Sequence, residues 1–246
     1  MLNDVVILPD AGAVARAGAD RFVALARAAI AARGRFTVAL SGGATPRALF
    51  AQLIDRPIDW AQVQVFWGDE RCVPPDHADS NYRMAREVLL AHVPLPDQNA
   101  HRLRGELEPA QAASAYEAEL RALFGALDWP RFDLILLGLG PDAHTASLFP
   151  GTRALHEQRR WVMGHFVERL KAARITFTPP LINHAEHVIF LVAGAAKAAA
   201  LQSVLARHPL NPDRFPAQIV QPIDGSLTWL IDQAAACDLT SQRTAP

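Results

Sequence analysis

The sequence predicts an α/β domain in which a mainly parallel sheet is covered by helices. Three observations carry this. Short apolar runs alternate with helical stretches along most of the 246 residues, the order expected of strand–helix–strand units. Most of these runs are near-continuous, as strands become when both faces of a sheet are covered. One of them, at 132–137, ends abruptly in Gly138 and Gly140 with polar residues behind them, where a chain leaving a strand must turn tightly.

In chain order, the apolar quartet 5–8 opens the sheet and a helix follows over 13–33, where Phe22, Leu25, Ala29 and Ala32 recur at helical spacing. A strand at 36–40 leads into a helix at 46–54, whose Pro46 suits a first helical turn because the missing N–H costs nothing there. A third strand at 63–67 precedes a helix at 81–91, and a further helix spans 109–126. The run 132–137 has the length and apolarity of a buried strand. Strands are then expected at 161–164, 175–177 and 187–192, a helix at 195–207 and a last strand at 218–220. Proline-containing pieces at 93–98 and 208–216 read as surface loops, and 237–246 as a frayed tail. Neither loop marks a domain boundary, so residues 1–246 are expected to form one domain.

Composition narrows the function. Half of the residues are apolar, enough for a sizeable core without disulfides or metals. A formal charge of −1 makes no electrostatic case for nucleic acid or an anionic membrane. Cys72 and Cys237 are the only cysteines, with no metal-binding spacing, and read as two reduced thiols. No run approaches the roughly 18 apolar residues of a membrane span, and the acidic start lacks a secretory signal's character. A cytoplasmic protein is expected.

Four constellations carry chemistry. Ser41, Gly42, Gly43, Ala44, Thr45 and Pro46 join a strand to a helix, where glycine backbone, hydroxyls and the helix dipole attract an anion; Thr45 could equally be an ordinary N-cap. No Gly-Lys-Ser/Thr ending makes this a nucleotide loop. Gly68, Asp69, Glu70 and Arg71 follow the third strand, and Arg71 could grip a phosphate or carboxylate, or form a plain surface pair with Glu70. Asp142 and His144 follow the fourth strand, a candidate base with its orienting carboxylate. Gly138, Gly140 and Ala143 also fit a dinucleotide fingerprint, weakened by Pro141 and by the lack of a following acidic residue at the right distance. Finally, Arg174, Thr176 and Thr178 share one face of a strand, and Lys197 stands near a helix N-terminus, where the dipole disfavours a cation; either an anionic ligand compensates or Lys197 is an ordinary solvated surface lysine. His77, His92, His101, His156, His184 and His208 receive no role.

Together these motifs resemble the 6-phosphogluconolactonase family, within the wider group of glucosamine-6-phosphate isomerase-like proteins. The matching pieces are SGGATP at 41–46, GDER at 68–71 with Asn81 and Tyr82, GLGPDAHTASLFPG at 138–151, RITFT at 174–178 with Asn183, GAAK at 194–197 and GSLTWLID at 225–232. The resemblance implies a single Rossmann-like α/β domain. It implies hydrolysis of 6-phospho-D-glucono-1,5-lactone to 6-phospho-D-gluconate, in the oxidative pentose phosphate pathway, with no metal or organic cofactor. By motif, His144 matches the catalytic histidine, Asp69 and Arg71 match active-site positions, Arg174 and Lys197 lie near substrate, and Gly42, Gly43 and Thr45 lie near phosphate. The family usually reads Asp-Gly-His where this chain has Asp142, Ala143 and His144. If position 143 requires positive φ, alanine adds strain on the order of 1 kcal/mol or more.

The expected mechanism is general base catalysis. His144 takes a proton from water attacking the lactone carbonyl, while Arg71, Lys197 and the 41–46 loop hold the phosphate; Ser41 and Asp142 join the substrate-binding set. A nucleophilic serine is disfavoured, since Ser147 lies in no GxSxG elbow. The partner is a small sugar-phosphate lactone, and a monomer is expected. The rivals are a glucosamine-6-phosphate deaminase/isomerase, disfavoured because 145–151 contains no acidic residue, a non-catalytic sugar-phosphate sensor, and more distantly a nicotinamide dehydrogenase.

Overall fold

The structure, a computed structural model, describes residues 4–125, 127–206 and 210–240. In chain order its elements are β1 (Asp4–Leu8), α1 (Ala11–Arg33), β2 (Phe36–Leu40), α2 (Ala44–Leu53), β3 (Val63–Trp67), β4 (Asp69–Arg71), α3 (Asn81–Val88), β5 (Ala100–His101), α4 (Pro109–Phe124), β6 (Leu134–Gly138), β7 (Val162–Val167), β8 (Ala172–Phe177), α5 (Pro179–Asn183), β9 (His187–Val192), α6 (Ala198–Leu205), β10 (Ser226–Asp232) and α7 (Cys237–Thr240). Seven strands form one parallel sheet in the order β1-β10-β9-β6-β2-β3-β5, with the interior strand β2 buried along its whole length.

The capping is local. Asp10 accepts a hydrogen bond from the Ala13 N–H at 2.7 Å to start α1, and Gly34 in left-handed conformation ends it. One face of α1, including Val14, Phe22 and Ala26, is buried, with Phe22 edge-on to Phe36 of β2 at 5.3 Å. That burial, at roughly 25 cal/mol per Å² of apolar area, holds the helix to the sheet far more strongly than its propensity does.

The strand order reverses once. From β2 the chain builds outward through β3 to β5, and from β6 outward through β9 to β10. Loops leaving the carboxyl ends of β2 and β6 therefore diverge to opposite sides, opening the crevice where sheets of this kind bind ligands. Beside it stands a second sheet of three antiparallel strands, β4-β8-β7, anchored where Gly68 donates its N–H to the Leu40 carbonyl at 2.9 Å and accepts from the Phe177 N–H at 2.8 Å.

Several elements depart from the sequence reading. The strand expected at 218–220 is part of a 3-10 turn, Pro216–Ile219. Gln218 holds it, accepting from the Asn211 N–H at 2.7 Å and donating to the Ser203 carbonyl at 2.9 Å. The real final strand, β10, lies within the segment matched as GSLTWLID and pairs with both β1 and β9. The helix expected at 195–207 begins as a 3-10 turn, Ala195–Lys197, and becomes α6 only at Ala198. Its expected last residue, Arg207, lies outside the described residues, as do Ala126 of the 109–126 helix and His208. Of the 237–246 tail, Cys237–Thr240 forms α7, with Leu239 against the core; 241–246 lie outside the described residues. No described helix is long and apolar enough to cross a membrane.

Candidate active site

At the reversal point, the loop after β2 turns through Gly42 and Gly43 into α2. A Cβ on Gly42 would stand 2.0 Å from Asn81 Oδ1, so only glycine lets the loop lie against that side chain. Gly43, at φ 108°, is the N-cap, which places Thr45 inside the first turn of α2 and not at its cap. The first N–H groups of that turn and the buried Ser41 hydroxyl, which has no hydrogen-bond partner among the described residues, can serve as donors to an anion.

The loop after β6 folds back on itself: the Gly140 N–H donates to the His144 carbonyl at 2.8 Å, and the Ala143 N–H to the Gly140 carbonyl at 3.0 Å. This brings His144 Nδ1 to 2.5 Å from Asp142 Oδ1. The second oxygen of Asp142 pairs with the Arg169 guanidinium. Burial works to raise the Asp142 pKa, but the hydrogen bond and charge of His144, aided by Arg169, outweigh it and lower the value to about 2. An ionised carboxylate only accepts, so His144 carries its proton on Nδ1 and its lone pair on Nε2. Phe149 stacks on the imidazole, with ring centroids 4.3 Å apart. Ala143 adopts φ 64°, so the position does require the left-handed conformation for which glycine is suited.

The antiparallel sheet forms the opposite wall. Asp69 Oδ2 accepts from the Ser147 hydroxyl at 2.7 Å, and Asn81 Nδ2 donates to the Asp69 carbonyl at 3.0 Å. Ser147 is itself held at both backbone ends, its N–H by Thr176 Oγ1 at 3.2 Å and its carbonyl by His165 Nε2 at 2.9 Å. Glu70 is not the partner in a surface pair with Arg71. It is buried at the start of α3, accepting from the N–H groups of Arg71, Asn81 and Tyr82, each at 2.8 Å. Burial pushes its carboxyl up, while those three donors pull it down. The Arg71 side chain instead donates to the Asp79 carbonyl and stands in register with Arg174 on β8.

Two cations here are poorly compensated. Arg174 is held below its ordinary pKa by burial and by the charge of Arg71; among the described residues its side chain hydrogen-bonds only to its neighbour's carbonyl, Ala173 O, at 2.9 Å. Lys197 is lowered by burial, against which Asp142 acts, and has no hydrogen-bond partner among the described residues. A partly buried cation with few partners is costly, and a bound anion would relieve both.

One cleft of about 640 Å³ receives Ser41, Gly42, Gly43, Thr45, Asp69, Arg71, Asp142, His144, Arg174 and Lys197, every residue selected from the sequence. Arg169, Phe149, Ser147 and Asn81 line it as well. Asn81 was flagged beside GDER, but Arg169 belongs to no motif, and only strand pairing places it here. Arg71, Arg169, Arg174 and Lys197 outnumber the two carboxylates, Asp69 and Asp142, a balance suited to an anionic ligand. A larger hollow of about 1080 Å³ at the amino ends of β9 and β10 holds none of this chemistry.

Known proteins match this chain over most of its length. The sequence profile described as glucosamine-6-phosphate isomerases/6-phosphogluconolactonase covers residues 9–229. A 6-phosphogluconolactonase of Nostoc is 43% identical over 98% of this chain and 100% of that protein. One of Synechocystis is 48% identical over 86% and 88%. The solved 6-phosphogluconolactonase of Trypanosoma brucei superposes with TM-score 0.86 at 30% identity, covering 97% of this chain and 99% of that one.

Proposed function

The chain belongs to the glucosamine-6-phosphate isomerase/6-phosphogluconolactonase family and is a lactonase of it; we propose that it hydrolyses 6-phospho-D-glucono-1,5-lactone with His144 as general base. The observation that carries this is the Asp142–His144 contact, which puts the imidazole proton on Nδ1 and leaves Nε2 with no hydrogen-bond partner among the described residues. Neutral Nε2 takes a proton from water as the water oxygen attacks C1, and the carbonyl oxygen becomes an oxyanion. The imidazolium then gives that proton to the ring oxygen as the C1–O bond breaks, leaving 6-phosphogluconate. The positive wall and the 41–45 loop divide two tasks, holding the phosphate and stabilising the oxyanion before it forms. Water excess and product ionisation drive the overall step forward. The same proposal takes the chain as one lactonase domain acting in the cytoplasm as a monomer, to be checked by cell fractionation and sedimentation.

The test is hydrolysis of freshly generated lactone by wild type and His144→Ala, with the spontaneous reaction subtracted and glucosamine-6-phosphate run in parallel. General base loss costs on the order of 1,000-fold, and the folded mutant is expected to lose about that much. Ammonia release from glucosamine-6-phosphate in place of lactone hydrolysis would move the chain to the deaminase branch. Sugar-phosphate binding with neither reaction would make it a sensor.

A further inference from the structure

Arg169 lies in the turn Glu168–Leu170 that joins β7 to β8, and the hairpin closes with Lys171 in the left-handed conformation at φ 47°. From there its guanidinium crosses the mouth of the cleft to Asp142 Oδ2, 27 residues away in sequence. The same guanidinium stands 5.8 Å from the centre of the Phe149 ring, which stacks on the His144 imidazole. One side chain on the antiparallel sheet thus touches both groups that flank the histidine on the parallel sheet.

We infer that Arg169 is a positioning residue for the base: it orients the Asp142 carboxylate and offsets the charge that the carboxylate presents to His144. This role rests on His144 being the general base. A carboxylate bound through one oxygen only can rotate about its Cβ–Cγ bond. With Oδ2 tied to Arg169, Oδ1 stays on Nδ1 and the lone pair of Nε2 stays aimed into the cleft. The electrostatic part has a definite sign. A carboxylate favours a neighbouring imidazolium; a cation on the far oxygen of Asp142 weakens that attraction, so removing Arg169 should strengthen it. Other charges facing the site are Lys197, beyond β9 and coupled to Asp142, and Asp69, Arg71 and Arg174 on the opposite wall. All of these remain in an Arg169 variant.

The experiment compares wild type, Arg169→Ala and Arg169→Lys by kcat, KM and the pH dependence of kcat, with the His144 titration followed by long-range proton–nitrogen NMR. In Arg169→Ala, kcat should fall about tenfold through lost alignment, and the acid limb and NMR titration should both move up by ~0.5 pH unit, a half-exposed charge being partly screened. Arg169→Lys keeps the charge and loses the planar fork, so its acid limb should stay at the wild-type position with kcat intermediate. A rise in KM alone, with kcat, acid limb and NMR titration unchanged, would overturn the inference and make Arg169 a substrate clamp. If wild type does not hydrolyse the lactone, the functional reading fails; the NMR titration still decides whether Arg169 tunes His144.

Discussion

The two walls of the cleft place their functional groups differently. On the parallel sheet, His144, Asp142, the 41–45 loop and Lys197 stand on loops and turns just beyond buried strands, whereas Asp69, Arg71 and Arg174 sit on the short antiparallel strands themselves. A loop group can be re-aimed by a few backbone angles, while a strand group is aimed by its register with a partner. The parallel wall carries the histidine and its carboxylate, and the antiparallel wall supplies charge fixed by strand pairing. Ser147 joins them, since its hydroxyl holds Asp69 while its backbone is held by Thr176 and His165.

This contrast can be broken at either wall. Beyond the loss expected for His144→Ala, the largest effect should come from Gly140→Ala. A Cβ there would lie 2.0 Å from His144 Nδ1 and 2.6 Å from Asp142 Oδ1, so the imidazole must move. Displacing a reacting group by about 1 Å costs on the order of 100-fold, and kcat on the lactone should fall by that much with the melting temperature little changed. An unchanged kcat would mean the loop relaxes around the methyl group.

Ser147→Ala should disconnect the walls. A buried carboxylate that loses a donor forfeits ~1–3 kcal/mol, and activity should drop about tenfold. Asp69→Asn in the Ser147→Ala background should then cost less than in wild type, a coupling that a double-mutant cycle measures.

Acid stability should distinguish the walls through Asp142. Its pKa is depressed in the folded protein, so its contribution to stability is complete above the ordinary carboxyl value of 3.8 and is lost as pH falls toward about 2. Unfolding by urea across that window should show a pH slope that Asp142→Asn removes. An unaltered slope would show that the ion pair does not persist in solution.

The smallest effect is expected at Ala143. Restoring glycine relieves left-handed strain of ~1 kcal/mol, but it exposes a methyl-sized void, since Ala143 is only 1% exposed, and it loosens the unfolded chain. Methyl burial is worth ~0.8 kcal/mol and the chain entropy ~0.4–1 kcal/mol, so Ala143→Gly should change stability by less than about 1 kcal/mol. A shift larger than that in either direction would show that these opposing effects do not balance.

What was legible follows the same division. The loops on the parallel wall announce themselves through glycine and proline beside polar residues, because tight turns at strand ends demand those types locally. The fold class was equally legible, since strands buried on both faces must be apolar throughout. Strand β4 and the antiparallel pairing of the second sheet were not, because Asp69, Glu70 and Arg71 look like a solvated turn until β8 pairs with them. Glu70 illustrates this: its charge suggests the surface, yet two backbone donors at the start of α3, with the N–H of Arg71, draw it inside.

By itself, then, the sequence determined most of the strand–helix alternation, the turn loops and the residue types gathered for chemistry, because these depend on local sterics and on the burial pattern of single segments. Only the tertiary structure decided that the sheet reverses between β2 and β6, that Arg71 faces Arg174, and that Arg169 reaches Asp142 across the cleft. Those relations join residues tens of positions apart through strand pairing and side-chain reach, which no local pattern encodes.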